Sequence, residues 1–214
     1  ARLVQSSFEA QGGDISITAD GDGDGIYLDN TIIRTITSGN ISLNGTSENS
    51  DGFETEGSSN AITAAGNGTI TISGTSTTGD SSGDAGIELQ NITISSDTGN
   101  VTLTGQSSAG RSVDFAETDV IVSSNSGDIA LQGDLLRLNA SENGNALSTN
   151  GTVTMAPLGS SFSQAFELTG IAISETSSGL TIGKTTNTAA ITMTDAQTIA
   201  GPVNIYGGNV SLDT

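Results

Sequence analysis

Residues 39–43 read Gly-Asn-Ile-Ser-Leu, a turn followed by alternating apolar and polar residues. The same order returns along the chain at spacings of 24 to 31 residues. The first apolar residues of the copies are Ile15, Ile41, Ile70, Val101, Ile129, Val153, Leu180 and Val210. Self-similarity at a period of about 28 residues is typical of repeat proteins, in which each unit contacts only its neighbours.

Each repeat carries two further apolar-polar alternations. Gly25-Ile26-Tyr27-Leu28 and Gly86-Ile87-Glu88-Leu89 follow polar, Gly-rich loops, and stretches such as Ile92-Thr93-Ile94 come next. Alternation with period two between Gly, Asn, Asp and Ser turns predicts three short β-strands per repeat. One such unit cannot bury its apolar face alone, whereas stacked copies enclose a continuous apolar column.

The sequence therefore predicts an all-β fold, a right-handed parallel β-helix (β-solenoid) of about seven coils within a single domain, residues 1–214. A β-sandwich also has short, regularly spaced strands, but tight hairpin turns between complementary strands are few in this chain. Neither end carries a clear polar cap. We therefore expect a segment of a longer solenoid or a subunit that stacks into a fibre.

Composition excludes several function classes. The 214 residues include 5 Lys or Arg and 24 Asp or Glu, for a net charge of −19, with no His and no Cys. Five basic residues cannot neutralise a phosphate backbone, which argues against a nucleic-acid partner. The charge and the lack of a long apolar stretch argue against membrane insertion. Ser-His-Asp triads, cysteine nucleophiles and ordinary zinc centres need residues that this chain lacks.

One loop has the pattern of a calcium ligand set. In Asp20-Gly21-Asp22-Gly23-Asp24-Gly25, carboxylates alternate with glycine as at the start of a calcium-binding loop. The likeness then weakens, since Thr31 stands where an EF-hand has its bidentate Glu. Asp20, Asp22 and Asp24 are thus candidate ligands for a structural Ca²⁺, and the alternative is a plain acidic loop. No cofactor is otherwise required.

Outward strand positions also carry carboxylates that paired acid and base chemistry on glycosides would need. They are Glu54, Glu56, Glu88, Asp114 and Glu117. Sugar-cleaving β-helices generally add a basic residue and exposed aromatic rings, but here only Tyr27 is predicted to face outward. The remaining aromatic residues on or near apolar positions are predicted to be core: Phe53, Phe115, Phe162 and Phe166. The prediction is a protein without catalytic residues, which is not an enzyme.

A pocket that joins Tyr27, Arg34 and nearby carboxylates would favour the carbohydrate alternative. The longest loops, Asp20–Gly25, Thr46–Gly52 and Ser73–Gly86, are expected on one side of the rod, where a binding surface is most often found.

The repeat resembles those of filamentous haemagglutinin-like adhesins, large bacterial surface proteins of the two-partner secretion type. The shared pattern is Gly-Asn/Asp-Ile-x-Leu-x-Gly-x-Ser, a loop, then Gly-Ile-x-Leu-x-Asn-x-x-Ile, and residues 179–208 show it most clearly. The resemblance implies an extracellular or cell-surface β-helical shaft that serves adhesion, aggregation or biofilm formation. Its partners would be adjoining segments or copies stacked end to end, and cell-surface carbohydrate or a partner cell.

The predicted function is therefore a non-enzymatic structural module of a secreted or surface adhesin. The first alternative is a self-assembling filament subunit, and the second is a polysaccharide-binding or polysaccharide-cleaving β-helix. No residue is assigned to a receptor, because the chain shows no binding motif of the family.

Overall fold

A computed structural model of the chain describes residues 1–78, 83–116, 119–138 and 144–212. These residues form 24 strands, numbered in chain order, and no helix. It follows that no helix in the described part is long and apolar enough to cross a membrane. The all-β prediction is confirmed.

The strands form four parallel sheets. Sheet 1 contains β1 (Arg2–Val4), β4 (Ile26–Asp29), β7 (Phe53–Glu56), β10 (Ile87–Leu89), β13 (Val113–Phe115) and β16 (Leu136–Arg137). Sheet 2 contains β2 (Ser7–Ala10), β5 (Ile32–Thr35), β8 (Asn60–Ala64), β11 (Ile92–Ser96), β14 (Val120–Ser124), β17 (Asn145–Thr149) and β20 (Ile171–Ile173). Sheet 3 contains β3 (Ile15–Gly21), β6 (Ile41–Ser47), β9 (Ile70–Ser76), β12 (Val101–Ser107), β15 (Ile129–Gln132), β18 (Thr152–Ala156), β21 (Gly179–Ile182) and β23 (Val203–Ile205). Sheet 4 contains β19 (Phe166–Leu168), β22 (Ile191–Met193) and β24 (Val210–Leu212).

Consecutive strands of a sheet come from consecutive coils. Along the chain, β1, β2 and β3 enter sheets 1, 2 and 3 in turn, and β4, β5 and β6 repeat that order one coil later. Near the C-terminal end, sheet 4 takes the place of sheet 1. The chain is thus a parallel β-solenoid of about seven turns with a spacing of about 27 residues, as the repeat predicts.

The inward side chains of each sheet stack into apolar columns. In sheet 3, Ile41 lies in register with Ile70, and Leu43 with Ile72, and all four are at most 1% exposed. The four predicted core phenylalanines are also buried. Because each fully buried Ile, Leu or Phe side chain contributes about 1.5–3 kcal/mol, the columns are the main stabilising feature of the rod.

Glycine makes the corner between sheets 3 and 1 tight. A Cβ on Gly45 would lie 1.9 Å from the carbonyl O of Gly52, and one on Gly74 would lie 1.9 Å from that of Gly86. Only glycine allows this approach, which pinches the base of each loop that leaves the corner. All three loops expected on one side of the rod start in strands of sheet 3 and lead to sheet 1, so the described parts of them share this corner.

The last repeat is shorter than the sequence pattern predicts. Leu180 pairs with Val203, 23 residues on, so the placement of Val210 in this column is wrong. Gly201-Pro202-Val203-Asn204-Ile205 has the same turn and alternation, and the carbonyl of Pro202 accepts the N–H of Leu180. Val210 instead pairs with Ile191 in sheet 4.

Residues 194–202 make this short coil possible, because they pass the end of sheet 2 without forming a strand. The side-chain amide of Gln197 donates to the carbonyl of Ile171 and accepts the N–H of Ile173, both at 3.2 Å. One residue of a parallel strand would make the same two bonds opposite Ala172. A side chain thus closes the edge of β20.

Candidate functional site

One outward column on sheet 1 consists of charged side chains and one tyrosine. The register of the parallel strands places six side chains on successive rungs: Arg2, Tyr27, Glu54, Glu88, Asp114 and Arg137. Rungs of a sheet are about 4.8 Å apart, so neighbouring side chains are within reach of each other. We call Glu54, Glu88 and Asp114 the carboxylate ladder.

Glu54, the first residue of the carboxylate ladder, belongs to a group of three acids. Asp24 and Asp51 precede β4 and β7, and each offers a carboxylate oxygen within 4.8 Å of the others and of a Glu54 oxygen. Asp51 is only 9% exposed, and the other two are half-buried. None of the three forms an ion pair with Lys or Arg in the part of the chain that the structure describes. We call these three residues the acidic group.

Hydrogen bonds hold the acidic group in place. The backbone N–H of Ala85, one coil further on, donates to Asp51 Oδ1, and the hydroxyl of Ser50 donates to Asp24 Oδ1. Both bonds join residues of adjacent coils. The convergence of the carboxylates therefore depends on coil stacking.

Burial and the charges of neighbouring carboxylates raise the pKa values of Asp51, Glu54 and Glu88. Burial raises the pKa of Asp51 to about 7, although the Ala85 N–H opposes this by stabilising the charged form. Burial raises the pKa of Glu54 to about 8, with further contributions from the charges of Asp24 and Asp51. Burial and the charge of Asp114 also raise the pKa of Glu88, while Arg137 and Arg111 oppose the rise. Asp51 and Glu54 thus hold protons near neutral pH.

The other end of the ladder is paired with cations. Asp114 is fully buried, and its two oxygens accept from Nε and Nη2 of Arg137 on the next rung. Arg111, in the loop before β13, adds a third bond from Nη1 at 3.1 Å. A buried carboxylate needs such partners to remain charged. We call Arg111, Asp114 and Arg137 the ion-paired triad.

Tyr27 alternates with the buried Ile26 and Leu28, but it is only 7% exposed, so it does not offer a free ring surface. Its hydroxyl donates to Glu56 Oε2, and the guanidinium carbon of Arg2 lies 4.6 Å from the ring centroid. The bond to Glu56 is the main reason that the pKa of Tyr27 rises to about 12. The prediction of an exposed Tyr27 is wrong because the neighbouring rungs cover it.

The structure separates the predicted calcium ligands. Asp24 joins the acidic group, whereas Asp20 at the end of β3 and Asp22 in the following loop are exposed and lie outside it. Asp51 and Glu54 come instead from the next coil. Converging carboxylate oxygens are the ligands that Ca²⁺ prefers, and the calcium prediction stays a prediction.

The other predicted residues are dispersed. Arg34 lies on sheet 2, where it pairs with Glu9 (Nε to Oε2, 2.8 Å), whereas Tyr27 lies on sheet 1. Glu88 lies one rung from Glu54, and Glu56 accepts the Tyr27 hydroxyl. Glu117 lies outside the described residues.

Sequence reasoning missed the meeting of Asp24 with Asp51 and Glu54. The signal was present, because Asp51-Gly52 repeats the end of the loop Asp24-Gly25 one coil later, and Glu54 occupies the outward position of the strand that follows. Pairing β4 with β7 in register would have brought these positions together.

A scan of protein-family models finds no match. Searches of curated proteins and of solved structures also find no significant match.

Proposed function

We propose that the chain is a shaft segment of an extracellular or cell-surface adhesin similar to filamentous haemagglutinin, and that its role is mechanical. The observation that carries this proposal is the unbroken stack of parallel rungs. Sheet 3 alone pairs eight strands in register, from β3 to β23. In this arrangement the backbone hydrogen bonds run along the rod, so each coil is held by the next one and the stack is stiff.

Apolar columns run through the rod to its first and last strands. Phe8 at the N-terminal end is 38% exposed, and Val210 and Leu212 at the other end are 46% and 60% exposed. These side chains stand in columns that are buried elsewhere in the rod. Under this proposal, neighbouring segments of the shaft stack in register on these columns.

This proposal is tested by locating the protein on cells and by asking whether that location requires the folded rod. Antibodies against residues 46–51 should label the surface of intact cells, or material outside them, in immunogold electron microscopy. Ile72→Asp, which places a charge in the core, should abolish that labelling. The matched control Thr71→Asp, on the exposed face of the same strand, should keep it. Labelling confined to the cell interior would overturn the proposal.

A filament subunit is the second candidate, because the C-terminal end has little charge. Residues 176–214 contain Lys184, Asp195 and Asp213 and no other charged side chain, in a chain with a net charge of −19. Copies of the chain therefore repel each other less at this end than along their sides. The pairing order places β23 two rungs beyond β18 and β24 two rungs beyond β19, so a second copy would stack on sheets 3 and 4.

Electron microscopy of the native material separates the two candidates. A filament of this chain would have an axial repeat equal to one subunit of about seven turns. A shaft would show a continuous rod without that repeat. Discrete particles would contradict both candidates.

A further inference from the structure

A cavity of about 320 Å³ opens beside the ion-paired triad. Arg111 and Arg137 line it together with Leu135, Leu136, Gln164 and Glu167. Its volume is at the lower end of pockets that hold small molecules. Two of the five basic side chains of the chain therefore face one small cavity.

Two guanidinium nitrogens of Arg111 take no part in the ion-paired triad. Arg137 directs its Nε and Nη2 atoms at the two oxygens of Asp114 and compensates the charge of that carboxylate. Arg111 contributes only Nη1 to Asp114, and its Nε and Nη2 atoms have no acceptor among the described residues. Those two atoms form the edge of a guanidinium that binds a carboxylate with two parallel hydrogen bonds.

We propose that this cavity binds a small hydroxylated carboxylic acid, such as a sugar acid, and that Arg111 recognises its carboxylate. The triad has one positive charge in excess and Glu167 in the cavity lining offsets it, so the ligand carboxylate is held by the Nε and Nη2 edge of Arg111 rather than by net charge. Glu167 disfavours a doubly charged phosphate through repulsion, and it can accept hydrogen bonds from ligand hydroxyls, as can Gln164. Leu135 and Leu136 provide apolar contact for the carbon skeleton. This site is independent of the mechanical role.

Calorimetric titration of the full chain with D-glucuronate tests the proposal. We expect saturable binding of D-glucuronate, and much weaker binding of D-glucose, which has the hydroxyls without the carboxylate. Inorganic phosphate should also bind more weakly than D-glucuronate. If D-glucuronate does not bind, or if D-glucose binds equally well, the proposal is overturned.

Two variants test the role of Arg111 itself. Arg111→Lys keeps the charge but removes the two-atom edge, so the affinity for D-glucuronate should fall by about tenfold or more. Arg34→Lys, on sheet 2, is the matched control and should leave the affinity unchanged. An Arg111→Lys protein that binds as tightly as the wild type would refute the assignment.

Glu167→Gln keeps the test valid if Arg111→Lys fails to fold, because it leaves all the partners of Asp114 intact. Removing the repelling charge should strengthen D-glucuronate binding by about twofold to fivefold, the range of an exposed charge pair. Unchanged affinity in this variant would show that the carboxylate binds outside the cavity.

Discussion

The buried acids at the two ends of the carboxylate ladder have opposite electrostatic surroundings. Asp114 is fully buried and bonds to two guanidinium groups, whereas Asp51 and Glu54 cluster with Asp24 and have no basic partner among the described residues. Glu54 and Asp114 occupy the same outward column, two rungs apart. The solenoid therefore determines where a side chain stands, and the side chains on adjacent rungs determine its charge.

The largest loss of stability is expected from breaking the ion-paired triad. Arg137→Met should lower the free energy of unfolding by about 3 kcal/mol, because it leaves the buried Asp114 with Arg111 alone. Urea unfolding measures this change. Arg34→Met removes the partner of Glu9 in an exposed ion pair, and it should cost less than about 1 kcal/mol. Equal losses in the two variants would show that burial of Asp114 is unimportant.

The acidic group should make stability depend on pH in the opposite sense to ordinary salt bridges. The folded protein holds protons with pKa values of about 7 at Asp51 and about 8 at Glu54, which the unfolded chain releases near 3.8 and 4.5. This contribution is fully present below pH 3.8 and is lost as the pH rises through 7 and 8. We expect a loss of about 2 kcal/mol between pH 5.5 and 8.5 after solvent screening.

Glu54→Gln isolates this contribution, because it removes the ionising group and keeps nearly the same shape. The variant should be more stable than the wild type at pH 8.5, and this difference should be much smaller at pH 5.5. Urea unfolding at both pH values makes the comparison. A wild type whose stability rises from pH 5.5 to 8.5, with no difference in the variant, would refute the raised pKa values.

A Ca²⁺ ion bound by the acidic group would replace its protons and stabilise the fold. The effect of Ca²⁺ on the free energy of unfolding therefore tests the calcium prediction. A Ca²⁺ concentration ten times the Kd should add about 1.4 kcal/mol to the free energy of unfolding. Asp51→Asn changes only the acidic group, and Asp22→Asn changes only the loop pattern. We expect the first variant to lose the Ca²⁺ effect and the second to keep it. The reverse result would return the ligands to Asp20, Asp22 and Asp24, and no effect in the wild type would refute calcium binding.

The smallest effect belongs to Tyr27, one rung before Glu54. Tyr27→Phe removes the hydrogen bond to Glu56, and it should cost about 1 kcal/mol or less. In a Tyr206→Phe background, ultraviolet titration should show Tyr27 ionising near pH 12. Glu56→Gln should lower that pKa, and an unchanged titration curve would show that Glu56 does not control it.

The repeat made most of the fold predictable. Alternation in stretches such as Ile41-Ser42-Leu43 showed which side chains face inward, and the turns showed where each strand ends. The error at Val210 arose because Val203-Asn204-Ile205 and Val210-Ser211-Leu212 carry the same pattern, and a pattern does not say to which sheet a strand belongs. The sheet that each strand joins depends on residues 194–202, which form no strand on sheet 2. There the side chain of Gln197 makes the two hydrogen bonds that a strand backbone would make.

The site was less predictable, because its contacts run between coils. Asp24 lies 27 positions before Asp51, and only the register brings them together. Likewise, Tyr27 was correctly placed between the inward Ile26 and Leu28, but its cover by Arg2 from the preceding coil depends on three-dimensional packing. Local alternation gives the direction of a side chain and does not give its neighbours.

The pinched corner between sheets 3 and 1 has a consequence for protein engineering. Gly45 and Gly52 fix the base of one loop, and Gly74 and Gly86 fix the base of a longer one, yet the strands on both sides keep the same register. Loop length is thus decoupled from the frame of the rod. Foreign peptides inserted between Gly45 and Gly52 would be displayed at a constant position, and several such insertions would form a row with the axial spacing of the coils.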